Sequence, residues 1–209
     1  MVNIVNYVRI KGKAASINGK ALNIDFSEAA ILKAIYKHLE VKYPKFHKMD
    51  ELSKLGFIAS EMLLQNKEAK EVLSHTEKEE IGLILQNSDS SVDVDRRFYD
   101  SIVDEENHFP SPALFVYTLP NIVLGEISIR NKFMGENGLF IFENYNPQFG
   151  VNYINTLFEK GKIKACVGGW FNANNGEYDA FLYLLKHSPK AGNEHTIENI
   201  KKIILAWTN

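Results

Sequence analysis

Residues 134–150 read MGENGLFIFENYNPQFG. Gly135 and Gly138 flank a turn, Leu139–Phe142 is an apolar strand, and Glu143–Asn146 is a polar cluster. Asn146-Pro147 then reads as an N-cap followed by proline in the first helical position, where a missing N–H costs nothing. The helix runs to Lys160 and Gly161 stops it. A strand that ends at a helix N-terminus is a natural seat for a nucleophile. Yet Glu143, Asn144, Tyr145, Asn146, Pro147 and Gln148 include no Cys, Ser or His.

Working outward, strands and helices alternate. Downstream lie a strand over Ile163–Val167, Gly168-Gly169, and a nearly continuous apolar strand over Tyr178–Lys186. A loop and a terminal helix, Ile197–Trp207, follow. Upstream, Asn121–Lys132 reads as a helix with Ile122, Gly125 and Ile129 set for close packing. Residues 109–121 carry three prolines, so they cannot form one regular element, and Ala113–Thr118 is either a helical turn or a short extended piece. Ile81–Leu85 is a short buried strand, and helical character resumes around 95–103. Helical spacing of Met49, Leu52, Leu55, Ile58 and Met62 predicts a helix over roughly 46–65. An earlier helix starts near Ser27, and Asn18-Gly19 between alternating segments predicts a hairpin. The expectation is one α/β domain over 1–209 with a largely parallel sheet.

The totals exclude several classes. Hydrophobic content of 45% and charged content of 24% suit a globular chain. A net charge of −2 gives no global signal for nucleic acid. No apolar run is long enough to span a bilayer, and the first residues lack the apolar core of a signal peptide. With a single cysteine, Cys166, a cytoplasmic location is the default expectation. The six histidines, His38, His47, His75, His108, His187 and His195, form no pair at metal-binding spacing, so no metal is expected. There is no GxGxxG, no GxxxxGK[ST] and no GxSxG, and no cofactor is expected. SDSSVD at 88–93 is rich in hydroxyls and carboxylates but reads as a capped turn. Cys166 sits within the strand IKACV, where a thiol behaves as a small hydrophobe.

Several segments together resemble the β-ketoacyl synthases of the thiolase superfamily. FPSPALFVYTLPNIVLGEISIRNKFMGEN, 109–137, is similar to the family run in which Ser-Pro precedes Leu-Pro-Asn, a Gly-centred helix and a Gly-Pro-Asn tripeptide; Ser111-Pro112, Leu119-Pro120-Asn121, Gly125 and Gly135-Glu136-Asn137 carry the likeness. GKIKACVGGWFNA at 161–173 resembles the strand and Gly-Gly after the nucleophile helix. HKMDELSKLGFIASEML at 47–63 resembles an early helix, and EEIGLILQNS at 79–88 a Val-Gly-Val-Val strand. The opening, IKGKAASINGKALN, departs from the family's Gly-rich start.

The resemblance implies an α/β thiolase-like half-fold, a mixed, mostly parallel five-stranded sheet with helices on both faces, corresponding to the N-terminal one of two similar α/β halves. It assigns no counterpart to the catalytic histidines, which the family carries in its other half. Counting forward from the family's tripeptide glycine, and back from Gly161 by the family's helix length, both place Asn144 where the family has its nucleophilic Cys. An amide is neither a nucleophile at neutral pH nor titratable. Gln148 lies four residues too late to stand for the Gln of chain-length relatives. The implied protein is a non-catalytic subunit or scaffold of fatty-acid or polyketide-type synthesis, with aryl-polyene or flexirubin pigment pathways as the analogy. Its implied partners are a second copy or a ketosynthase, and an acyl carrier protein. The alternative is an acyl-chain or acyl-thioester binding protein, with Glu143, Tyr145, Asn146 and Gln148 lining the ligand. A third reading makes Glu143 a catalytic base, though a carboxylate at a helix N-terminus is a weak one. The helix FGVNYINTLFEKG is apolar on more than one face, which implies burial or association.

Overall fold

A computed structural model of the protein describes residues 1–24, 30–104, 106, 109–188 and 192–206. Strands β1 (Val2–Lys11), β2 (Ala14–Ile17) and β3 (Lys20–Ala21) open the chain. Helices α1 (Ile31–His38), α2 (Glu51–Leu64) and α3 (Lys67–Ser74) follow, then strand β4 (Ile81–Asn87). Helices α4 (Val92–Asp100), α5 (Pro112–Tyr117) and α6 (Ile122–Asn131) lead to strand β5 (Asn137–Ile141). Helix α7 (Pro147–Glu159), the hairpin of β6 (Ala165–Asn174) and β7 (Glu177–His187), and helix α8 (Ile197–Leu205) complete it.

The strands form one sheet in the order β3-β2-β1-β7-β6-β4-β5. The α/β class and the mixed sheet are as expected. The strand count is seven among the described residues rather than five, and the parallel pairings there are those of β4 with β5 and with β6. The remaining pairings are antiparallel. Two local facts account for the difference. β6 does not stop at Val167 but continues through Gly168-Gly169 to Asn174. Asn175-Gly176, both at positive φ, then turns the chain directly back into β7. At the other end, β1 is ten residues long and pairs with both β2 and β7, while Asn18-Gly19 makes the expected turn between β2 and β3.

β7 shows why its sequence is apolar throughout. Leu182 and Leu184 point into the core beneath α1, α2 and α6, with Val8, Leu85 and Val167. Phe181, Tyr183 and Leu185 point the other way, into a second core under α7 and α8 with Ile154, Phe158 and Ile200. Both faces of the sheet are covered there, so alternation between polar and apolar disappears.

Other boundaries moved for identifiable reasons. Asp50 caps α2 by accepting from the N–H groups of Leu52 and Ser53, so the helix begins at Glu51 and not at 46; a 3-10 turn occupies Pro44–Lys48. α3 was not expected; Asn66 caps it. The open choice at 113–118 resolves to helix α5, with Ser111 as cap and Pro112 first. The helix around 95–103 is α4, three residues earlier. Ser27, His108 and Trp207 lie outside the described residues.

Helix α6 reverses one expectation. Val123 and Ile127 face inward, and a Cβ on Gly56 of α2 would come within 2.6 Å of Val123. Ile129 is 68% exposed, and a Cβ on Gly125 would meet nothing within 4 Å. Of the three residues expected to pack closely, Ile122 lies against the core, while Gly125 and Ile129 face outward. At Gly168 strand and helix meet closely: a Cβ there would approach Ile154 of α7 to 2.8 Å and the Tyr183 ring to 2.6 Å.

Candidate functional site

The turn between β5 and α7 lies at the carboxyl end of β4 and β5 and brings the five expected residues together. Glu143, Asn144 and Gln148 are exposed, and Tyr145 and Asn146 are half-buried. With Phe142, Pro147, Ile197 and Lys201 they line an open groove between the start of α7 and α8. Asn146 is the N-cap: its Oδ1 accepts from the Phe149 N–H at 2.9 Å.

Gln86, near the end of β4, holds this turn in place. Its Oε1 accepts from the Asn146 N–H at 2.9 Å, and its Nε2 donates to the Asn146 carbonyl at 3.0 Å. Gly150 leaves room for that amide, since a Cβ there would lie 2.8 Å from Gln86 Nε2. Sequence reading missed Gln86; the available signal was a polar residue following the apolar run of β4.

Beneath the groove runs a buried polar chain. Tyr145 Oη lies 3.5 Å from Tyr183 Oη, which lies 3.4 Å from His195 Nε2. His195 Nδ1 is 2.9 Å from Asn155 Oδ1, and Asn155 Nδ2 donates to the His195 carbonyl. Because the Asn155 oxygen faces Nδ1, that nitrogen carries the proton and Nε2 accepts from Tyr183. Burial lowers the His195 pKa to about 4, so the imidazole is neutral near pH 7. Burial raises the pKa of the Tyr145 hydroxyl, opposed by its contact with Tyr183 and by Arg9, and it raises that of Tyr183 further. The ring of Tyr145 is partly open while its hydroxyl is enclosed. No sequence signal singled out His195, which precedes α8 in a loop.

Asn144 offers an exposed amide two residues ahead of the Asn146 cap. Cys166 is fully buried, and burial pushes its thiol pKa up, which keeps it protonated. Among the described residues no group of three or more His, Cys, Asp or Glu could hold a metal ion, and no helix is long and apolar enough to cross a membrane.

No family model and no curated protein matches the sequence. Solved structures match its fold. The ishigamide ketosynthase/chain length factor superimposes with a TM-score of 0.68 at 14% identity, over 92% of this chain and 63% of that one. The fold is ketosynthase-like.

A second ketosynthase-like neighbour is the Xenorhabdus doucetiae ketosynthase ApeO in complex with its chain length factor ApeC, with a TM-score of 0.57 and 11% identity, covering 100% of this chain and 92% of that one. A third is a type II polyketide synthase acyl-carrier protein in complex with its ketosynthase, with a TM-score of 0.61 and 13% identity, over 89% and 62%. This chain thus spans under two thirds of the length of two of these neighbours. Within the ketosynthase-like fold, α8 packs on α7. The apolar face of α7 that sequence suggested would need a partner is therefore covered by the chain itself: Val151, Ile154, Leu157 and Phe158 are all buried.

Proposed function

We propose that the protein is a non-catalytic ketosynthase-like subunit or scaffold in cytoplasmic polyketide- or fatty-acid-type synthesis, paired with a ketosynthase and presented with substrates by an acyl carrier protein. One observation carries this reading: the turn into α7 is rigidly built, by Gln86 and the Asn146 cap, yet it displays the amide of Asn144. A thiol would attack an acyl carbonyl there; an amide does not. The buried His195 offers no substitute base at this surface, because its Nε2 is turned toward Tyr183. The neighbours named above include a ketosynthase in complex with a chain length factor and one in complex with an acyl-carrier protein, which supports such partners. Aryl-polyene or flexirubin pigment synthesis is the pathway class the resemblance favours.

Size-exclusion chromatography with light scattering tests the pairing. Co-expression with ketosynthases of the source genome gives a complex with the summed mass. A monomer that ignores every ketosynthase and acyl carrier protein overturns it.

The open groove supports a second reading, in which the protein retains an acyl chain or acyl-thioester against Glu143, Tyr145, Asn146 and Gln148. Native mass spectrometry of the purified protein separates the two: a co-purified lipid or thioester mass favours binding.

A further inference from the structure

Residues 193–195 join α8 to the sheet. β7 occupies one side of β1 along its length; on the other, β2 pairs from Val8 onward, and the start of β1 pairs with residues 193–195. The Ile4 N–H donates to the Asn193 carbonyl at 2.7 Å, and the His195 N–H to the Val2 carbonyl at 2.8 Å. His195 is 2% exposed, with its ring closed between Asn155 of α7 and Tyr183 of β7. Thr196 then caps α8 by accepting from the Asn199 N–H. The helix itself is lightly held. It has nine residues, too few to stay helical alone in water. Ile200 is fully buried, Ile197, Ile203 and Ile204 are partly buried, and Leu205 is 63% exposed.

This anchor makes no provision for a charge. The groups against the ring, the Asn155 amide and the Tyr183 hydroxyl, are neutral. Beyond them Tyr145 is neutral, the buried Cys166 that acts on Tyr183 stays a thiol, and Arg9, which acts on Tyr145, is a cation. β1 meets the segment through backbone groups. On the ring's own segment, Glu198 is exposed and pairs with Lys202 at 2.9 Å. Burial is the one influence on the His195 pKa, so no carboxylate of the described residues, Glu194 included, offsets a charge there. A proton on His195 therefore makes a buried, unpaired cation, and the imidazole is better placed in water.

We propose that His195 is an acid-operated latch: charging it releases residues 193–205 from α7 as one unit while the sheet stays folded. In the released state the groove at 143–148 loses the wall made by Ile197 and Lys201, and Ile154 and Phe158 of α7 lose their cover. The released imidazole titrates at its ordinary value of 6.5, against about 4 when latched. The ratio of released to latched protein therefore rises about twentyfold between pH 7 and pH 5. The latch works without a partner chain.

Native-state hydrogen exchange of the whole protein, corrected for the intrinsic pH dependence of amide exchange, tests it. Amides of α8 open more readily than those of β6, and their opening constant rises about twentyfold from pH 7 to pH 5. In His195→Gln the α8 opening constant is the same at both pH values. Asn155→Asp, an isosteric change, sets a carboxylate against Nδ1, so the charged ring is paired while latched and the rise is lost. A single opening constant shared by α8 and β6 would show that the helix leaves only with the whole fold, and would overturn the proposal. So would a rise that persists undiminished in both variants.

Discussion

Gln86 and Asn146 clasp each other through two hydrogen bonds, one in each direction, at 2.9 and 3.0 Å. The side chain of a buried strand residue thereby fixes the backbone at the start of α7. Gln86→Leu leaves both backbone groups of Asn146 without that partner, and destabilises the fold by about 1–3 kcal/mol. Gly150→Ala presses a methyl against the same amide and costs a similar amount, about 1–3 kcal/mol. Urea unfolding measures both. Hydrogen exchange at residues 143–149 rises more in Gln86→Leu than exchange in β7 does.

His195 makes stability depend on pH. Its folded pKa, about 4, lies below its ordinary value, so the unfolded chain binds the extra proton between the two. The contribution is fully present above about pH 6.5 and is lost as pH falls toward 4; it amounts to about 3 kcal/mol. Relative to wild type, His195→Gln shows a flatter dependence of unfolding free energy on pH in this window. Subtracting the two curves cancels the carboxylates common to both. Equal slopes would show that the imidazole is not held neutral.

Thiol chemistry checks the surface at the turn. Cys166, buried in β6, does not react with a thiol reagent until the protein unfolds. Asn144→Cys adds a second thiol at an exposed position two residues ahead of the Asn146 cap. One equivalent then reacts in the folded state. No reaction before unfolding would mean that the position is not open.

Glu61 and Arg130 tie α2 to α6 through two contacts at 3.1 Å, with Glu61 nearly buried and Arg130 partly open. Glu61→Ala leaves the guanidinium partner-poor and lowers stability by about 1–3 kcal/mol; Arg130→Ala, which strands the more buried carboxylate, costs more. Thermal unfolding of the two variants and the double variant resolves the coupling.

Much of the architecture was legible because it is local. Asn18-Gly19, the Asn146-Pro147 cap and Gly161 act through a few neighbouring residues, and the structure places turns and helix ends there. The sheet order was less legible, because it depends on partners distant in sequence. β1 pairs with β7 across most of the chain, and Asn175-Gly176, a turn of the same kind as Asn18-Gly19, was masked by reading Gly168-Gly169 as the end of a strand. The inward face of α6 was misread because Ile129 and Val123 are equally apolar; only the position of Gly56 decides between them. At the site, the contiguous residues 143–148 could be found in sequence. Gln86, Tyr183, Asn155 and His195 could not, since they meet only when β4, β7, α7 and the loop before α8 are assembled.

The central claim is that a ketosynthase-like turn here carries no reactive group. Mass-spectrometric turnover of malonyl- and acyl-thioesters by the purified protein tests it most directly. The account predicts no condensation or decarboxylation above the protein-free blank, and no difference between wild type, Asn144→Ala and Glu143→Gln. Turnover by the wild type that is lost on either substitution would contradict it.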